Sequence, residues 1–268
     1  MSKLQKILKV SGLLLRKPYL LNKILDDNDV WLESVQNEYG LDGFSEIKFH
    51  HLSAGKDVQV KPFAFMEGGS LPTDLALLKV LASGFDACRY FEIGTWRGES
   101  VANVAEVAAQ CTTLNLSIEE LEAFGRPPEY TGQYAMYSKG LPNVLHLEGN
   151  SMAFDFSGLD TKYDLIFIDG DHHYESIKSD TENVFRHLMH EKSIVVWHDY
   201  AWQPGNVRHE TMAAIMAGVP PQLRNKLYAV RNTLCAIYYP GELKTFNASS
   251  IATRDEAFEV VVKVKMND

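Results

Sequence analysis

The sequence predicts an α/β protein, doubly wound around a mostly parallel sheet. Two observations carry that expectation. Apolar, β-prone runs recur at residues 112–116, 144–147, 163–168 and 193–197, separated by segments long enough for crossover helices. Ahead of them, Tyr90-Phe91-Glu92-Ile93-Gly94-Thr95-Trp96-Arg97-Gly98-Glu99-Ser100 passes from an apolar strand through two spaced glycines into a helix-like 101–105. A strand, a tight turn and a helix N-terminus in that order mark the ligand-binding end of an open α/β sheet.

From the beginning of the chain, residues 1–25 place Leu4, Ile7, Leu8, Leu14 and Leu15 at helical spacing, with Lys3, Lys6, Lys9, Arg16 and Lys17 largely between them. This is a basic amphipathic helix, broken near Pro18. We read it as a cap packed on the domain by its leucine stripe; an interfacial membrane contact and a dimerisation arm are the alternatives. Residues 26–69 are mixed and polar, punctuated by Gly40, Gly43, Gly55 and Pro62, and show no clear period. Thr73 is the expected N-cap of a helix through Leu75, Leu77, Leu78, Val80 and Leu81, ending near Gly84. Beyond the parallel strands, 226–238 and 258–264 are β-rich runs with no long helix required between them.

Within the glycine stretch, Gly94 permits a backbone conformation closed to residues with a Cβ. Gly98 admits a ligand close to the turn, and Glu92 at the strand end is placed to meet a positively charged or hydroxyl-bearing group. The acid and the three-residue gap depart from the Gly-x-Gly-x-x-Gly that seats a pyrophosphate on a helix N-terminus. An acid there repels a pyrophosphate and suits a ligand with an ammonium group and no phosphate.

Glu92-Ile93-Gly94-Thr95-Trp96-Arg97-Gly98-Glu99-Ser100 resembles the first motif of class I S-adenosylmethionine-dependent methyltransferases. The closest likeness is to the catechol, macrolide and cephamycin O-methyltransferases, over roughly residues 71–264. The resemblance implies a Rossmann-like sheet of seven strands with an antiparallel C-terminal pair, formed here by 226–238 and 258–264. It places the catalytic domain at 71–268, behind an N-terminal helical extension at 1–70. It also implies S-adenosylmethionine held at Glu92, Gly94, Thr95, Gly98, Ser100 and Asp169.

After the next strand, Leu116-Ser117-Ile118-Glu119 offers an acid where adenosine-binding folds accept the ribose hydroxyls, and Glu119 is assigned that role. Glu120 and Glu122 compete for it, and acids in a first helical turn also favour the helix dipole. Glu148-Gly149-Asn150-Ser151 follows a third strand; in similar methyltransferases a Gly-x-Ser here lines the adenine, and Ser151 is the matching position. Gly-Asn-Ser is equally an ordinary turn tripeptide.

The densest chemistry lies in Phe167-Ile168-Asp169-Gly170-Asp171-His172-His173-Tyr174 and in Val196-Trp197-His198-Asp199-Tyr200. Both leave apolar strands, and adjacent parallel strands bring such ends to one pocket. Asp169, His198 and Asp199 can ligate one divalent cation, as the resemblance to metal-dependent O-methyltransferases implies. His198 stands where those families place an acid, and an imidazole suits manganese better than magnesium. His172 occupies the offset of their general base and titrates near neutrality, with His173 as the competing position. Asp171 is the expected cap of a helix from Tyr174. Gln203-Pro204-Gly205-Asn206 resembles an acceptor-bordering loop, which brings Trp202, Arg208 and His209 near substrate without a catalytic role.

These residues predict methyl transfer from S-adenosylmethionine to a hydroxyl of a small molecule, of sugar or natural-product type, with a divalent cation (Mg or Mn) assisting. A metal-independent N- or O-methyltransferase and a non-catalytic cofactor-fold binding protein are the alternatives. A formal net charge of -9 argues against a nucleic-acid partner. Cys88, Cys111 and Cys235 are too few and too scattered for a disulfide framework or a zinc site. With no long apolar run, a cytoplasmic protein is expected, with homo-oligomerisation open.

Overall fold

The computed structural model describes residues 2–17, 27–66, 68–246 and 256–263. The chain begins with α1 (Lys3–Arg16), α2 (Asn28–Tyr39), β1 (Ser45–Ile47), α3 (Phe49–Ser53) and α4 (Pro72–Ala82). The alternating region then runs β2 (Arg89–Ile93), α5 (Glu99–Ala105), β3 (Gln110–Asn115), α6 (Ile118–Ala123), α7 (Pro128–Thr131) and β4 (Val144–Glu148). It continues through β5 (Leu165–Ile168), α8 (Tyr174–Asn183) and β6 (Ile194–Trp197). A small hairpin of β7 (Ala201–Gln203) and β8 (Asn206–Val207) leads to α9 (His209–Gly218), β9 (Leu227–Val230) and β10 (Ala236–Tyr238).

The main sheet has the order β1-β9-β10-β6-β5-β2-β3-β4. Strands β6, β5, β2, β3 and β4 pair in parallel, and β10 is antiparallel to both β6 and β9. The chain moves outward from β2 through β3 and β4, then returns to β5 on the other side of β2. That reversal makes the carboxyl ends of β2 and β5 the topological switch point, where open α/β sheets hold their ligands.

Side-chain alternation divides the core into two layers. Phe91, Ile93, Ile166, Ile168, Val195 and Trp197 face α8 and α9, whereas Tyr90, Leu165, Phe167, Ile194 and Val196 face α4 and α5. Both faces of β5 and β6 are buried, so these strands read as unbroken apolar runs.

Four of the expected features take a different form. The sheet has eight strands instead of seven, because Ser45–Ile47 adds β1 in parallel to β9. The antiparallel pair is β9 with β10, both inside 226–238; residues 256–263 form no strand, and Val264 lies outside the described residues. Helix α4 starts at Pro72, so Thr73 lies inside it and donates its hydroxyl to the Asn232 carbonyl at 2.7 Å. The N-cap of α8 is His173, and Asp171 accepts from Ser176 Oγ at 2.9 Å instead of capping the helix backbone. The first free amide of α8, on Tyr174, donates to Glu210 of α9 at 3.0 Å.

The leucine stripe of α1 does not pack as a cap: no residue of the helix is buried. The break expected near Pro18 lies outside the described residues.

Candidate active site

A cavity of about 920 Å³ opens at the carboxyl ends of β2, β3, β4, β5 and β6. Ligand-binding clefts range over roughly 300–1,000 Å³, so the space suits a cofactor together with part of a substrate. One half is built by the turn after β2. Gly94 has φ +95°, and a Cβ there would lie 2.0 Å from the Asp169 carbonyl oxygen. Its amide donates to Leu114 O at 2.9 Å while Asp169 N donates to Ile93 O at 2.8 Å, so the turn rests on the β5 loop. Gly98 has φ +78°, and the group that comes close to it is Ser138, whose Oγ would lie 2.1 Å from an added Cβ. The space in the Cβ direction at Gly98 is therefore filled by Ser138, while Gly98 itself lines the cavity.

Asn115, at the end of β3, holds this turn in place: its Oδ1 accepts from the Thr95 amide at 3.1 Å. Trp96 stacks on Tyr130 at 5.4 Å between centroids and carries the Arg97 guanidinium 3.9 Å from its ring. The buried Thr95 Oγ1 and Trp96 Nε1 lack protein partners, and both residues line the cavity. Unpaired buried donors and acceptors on an aromatic wall match a ligand that carries both a flat ring and polar groups.

Of the expected cofactor residues, Gly94, Thr95, Gly98, Ser100, Ser151 and Asp169 line the cavity. Glu92 and Glu119 do not line it. Glu92 is fully buried beneath the turn, where the Tyr90 hydroxyl donates to Oε2 at 2.6 Å. Burial pushes its carboxyl up to about 8, against the opposing hydroxyls of Ser100 and Tyr90. Glu119 is exposed in the first turn of α6, and the polar side chain at the end of β3 is Asn115. Glu120 closes a capping box with Ser117, each accepting from the other's amide at 2.9 and 3.1 Å.

The other half of the cavity gathers the acids and histidines. Asp169 follows β5, and His198 and Asp199 follow β6. His172 Nδ1 lies 3.0 Å from Asp199 Oδ2. His198 Nδ1 lies 3.2 Å from Asp169 and 3.3 Å from Asp199, while its Nε2 lies 3.2 Å from Asp74 Oδ2. Asp74, fully buried on α4, also accepts the amides of Leu71 at 2.7 Å and Leu234 at 2.8 Å. Burial disfavours a charged His198, but its three carboxylate neighbours outweigh this and raise its pKa well above the ordinary range. The three carboxylates therefore favour the charged form of His198. Its Nε2 bonds Asp74 while its buried Nδ1, close to two carboxylates, makes no hydrogen bond; among the described residues the group able to gather on a cation is Asp169, His172 and Asp199. Their ligand atoms lie within 4.8 Å of one another.

The same balance acts on the pair in front of it. Burial lowers the His172 pKa and the carboxylates of Asp199 and Asp169 raise it, with a net upward shift. Burial would raise the Asp199 pKa, yet the adjacent imidazoles of His172 and His198 hold it well below the usual carboxylate range. Asp199 has a left-handed backbone, φ +52°, rare for a residue with a Cβ, and this aims it at both imidazoles. His173 turns away to pair with Asp171 at 2.6 Å. Arg208 donates to the His172 carbonyl at 3.1 Å and stacks 4.4 Å from the Trp202 ring.

Asp74, which holds His198, and Asn115, which holds the glycine turn, are supports of the site that the sequence did not point to. Asp74 looks like any acid in a first helical turn, and Asn115 carried a signal only as the last polar residue of a strand.

A glycine turn at the switch point of a doubly wound sheet, facing a paired acid and histidine cluster, defines an α/β enzyme of the nucleotide-cofactor type. Residues 91–200, from β2 to the residue after Asp199, match the model of a family described as Methyltransferase domain. The matched stretch carries both halves of the cavity, from the Gly94 turn to Asp199, and spans less than half of the chain. Among solved structures it is similar to Podospora anserina methyltransferase PaMTH1 bound to S-adenosylhomocysteine: 18% identity, 66% of this chain, 82% of that one, TM-score 0.45. A provisionally described O-methyltransferase of Klebsiella pneumoniae is similar at 16% identity over 85% of this chain and 97% of that one, TM-score 0.45. The TDP-rhamnose 3'-O-methyltransferase CalS11 of calicheamicin biosynthesis is similar at 17% identity over 63% and 80%, TM-score 0.45. No curated protein sequence matches the chain. No helix among the described residues is long and apolar enough to cross a membrane.

Proposed function

We propose that the chain is a class I S-adenosylmethionine-dependent methyltransferase that acts on a hydroxyl oxygen of a small molecule, of sugar or natural-product type, with His172 as the general base. The observation that carries the reading is the 3.0 Å contact of His172 Nδ1 with Asp199 on the cavity wall. Asp199 fixes the Nδ1–H tautomer and leaves Nε2 free to accept a proton. The imidazolium of His198 behind Asp199 offsets the negative charge that gathers as Asp169 and Asp199 share one wall. Bound S-adenosylmethionine supplies a methyl group activated on a sulfonium. The protein's task is then alignment: the Gly94 turn and the Trp96–Tyr130 wall seat the donor, and the β5 and β6 ends hold the acceptor oxygen in line with it.

The test is methyl transfer to a panel of hydroxylated small molecules, comparing wild type with H172A at matched S-adenosylhomocysteine affinity. Loss of turnover by about 100-fold or more with retained affinity supports the assignment. Undiminished turnover of H172A overturns it.

A second reading draws on the grouping of Asp169, His172 and Asp199, which would hold a divalent cation, Mg or Mn. The cation would supply Lewis-acid stabilisation to an acceptor oxygen, with His172 a ligand instead of a base. Exhaustive chelation separates the two, because activity that survives it belongs to the base reading.

A further inference from the structure

Helix α1 is encoded locally and lacks a partner among the described residues. Its start is a capping box: Ser2 Oγ accepts from Gln5 N at 3.3 Å, and Ser2 N donates to Gln5 Oε1 at 2.9 Å. With about 3.6 residues per turn, Leu4, Ile7, Leu8, Ser11, Leu14 and Leu15 fall on one face, and Lys6, Lys9 and Arg16 on the opposite one with Leu13 between them. Leu4 is 66% exposed, Leu8 65% and Leu15 84%. A helix of this length is marginal in water by itself, so its stability depends on something that covers the leucines.

Charge selects what that is. The segment from Ser2 to Lys17 holds five cations and no acid, in a chain whose net charge is -9. A second copy of α1 laid along the leucine face would cover the leucines but leave the cations unanswered, since neither segment holds an acid. An anionic bilayer presents both complements at once, headgroup phosphates for the lysines and an acyl boundary for the leucines.

We propose that α1 is an interfacial anchor that binds anionic lipid surfaces, lying in the plane of the bilayer with its leucine face inward. The acidic remainder of the chain is repelled by the same surface, which leaves α1 as the point of contact and keeps the domain in water.

The experiment is flotation of the full chain with vesicles of phosphatidylcholine alone and with about one third phosphatidylglycerol, at low and at moderate salt. We expect binding to the anionic vesicles, weaker binding as salt rises, and little binding to the neutral ones. L8E should abolish flotation, and K6E/K9E should weaken it by more than about twentyfold, near fivefold for each cation lost. Both variants should keep wild-type S-adenosylhomocysteine affinity, which shows that the domain is folded. Failure of the wild type to float with anionic vesicles, or flotation unaffected by L8E, overturns the proposal. A concentration-dependent dimer that L8E dissolves, without lipid binding, would assign the face to a second copy instead.

Discussion

His172 and Asp199 meet at 3.0 Å, Nδ1 to Oδ2, although they leave different strands of the sheet. The contact depends on β5 and β6 lying side by side in parallel, Ile168 opposite Trp197. It also ties the basicity of His172 to the charge of Asp199.

Asp199→Asn should therefore change activity in two ways. It keeps the shape but loses the charge that orients and raises His172. We expect kcat to fall about 100-fold or more. A base works only above its own pKa, so the acid limb of the kcat/KM profile should move to lower pH in the variant. A pH–rate profile measured on both proteins checks the sign.

Asp74→Asn leaves His198 facing fewer carboxylates inside the protein. Removing one partner of a buried ion pair costs about 3–5 kcal/mol, and part of that should appear as a lower urea midpoint. Because Asp74 does not line the cavity, the stability loss should exceed any loss in S-adenosylhomocysteine affinity. Urea titration beside calorimetric binding separates the two.

Glu92 gives a pH dependence of stability. Its carboxyl is pushed from 4.5 up to about 8, so between those values the folded chain holds a proton that the unfolded chain has released. Stability from this group is complete below pH 4.5 and declines as pH rises through about 8. Glu92→Gln, which keeps a polar amide in the same space, should remove that decline and be relatively more stable at pH 8 than at pH 5. Urea midpoints of both proteins at the two pH values test it.

Gly94→Ala would place a methyl 2.0 Å from the Asp169 carbonyl oxygen in a φ +95° conformation. We expect a loss of at least about 2 kcal/mol in stability, together with loss of S-adenosylhomocysteine binding. Thermal unfolding and calorimetry on the same sample read both.

Much of this was legible in the sequence, for identifiable reasons. Strands buried on both faces write themselves as apolar runs, so β5 and β6 fall within two residues of their expected places, as do β3 and the partly exposed edge strand β4. Chemistry-bearing clusters at their ends fell onto one cavity because parallel strands share a direction. What was missed depends on contacts across the chain. Strand β1 is three residues long and shows no period to read. Asp74 reaches His198 across 124 positions. The valines at 260–262 have strong β propensity yet stay exposed outside any strand, because propensity without a neighbouring edge does not make a sheet. Glu119 and Asn115 sit four positions apart, and only the bend of the chain after β3 decides which faces inward.

The absence of clearance between Gly94 and the Asp169 carbonyl has a mechanical consequence. The loop that would seat the methyl donor and the loop that begins the proton-accepting cluster are pressed into a single seam, so neither can shift alone. Donor and acceptor geometry are set by one tolerance. A strain introduced on the nucleotide side would then be felt at the acids and histidines, and engineering a larger acceptor pocket would have to leave that seam untouched.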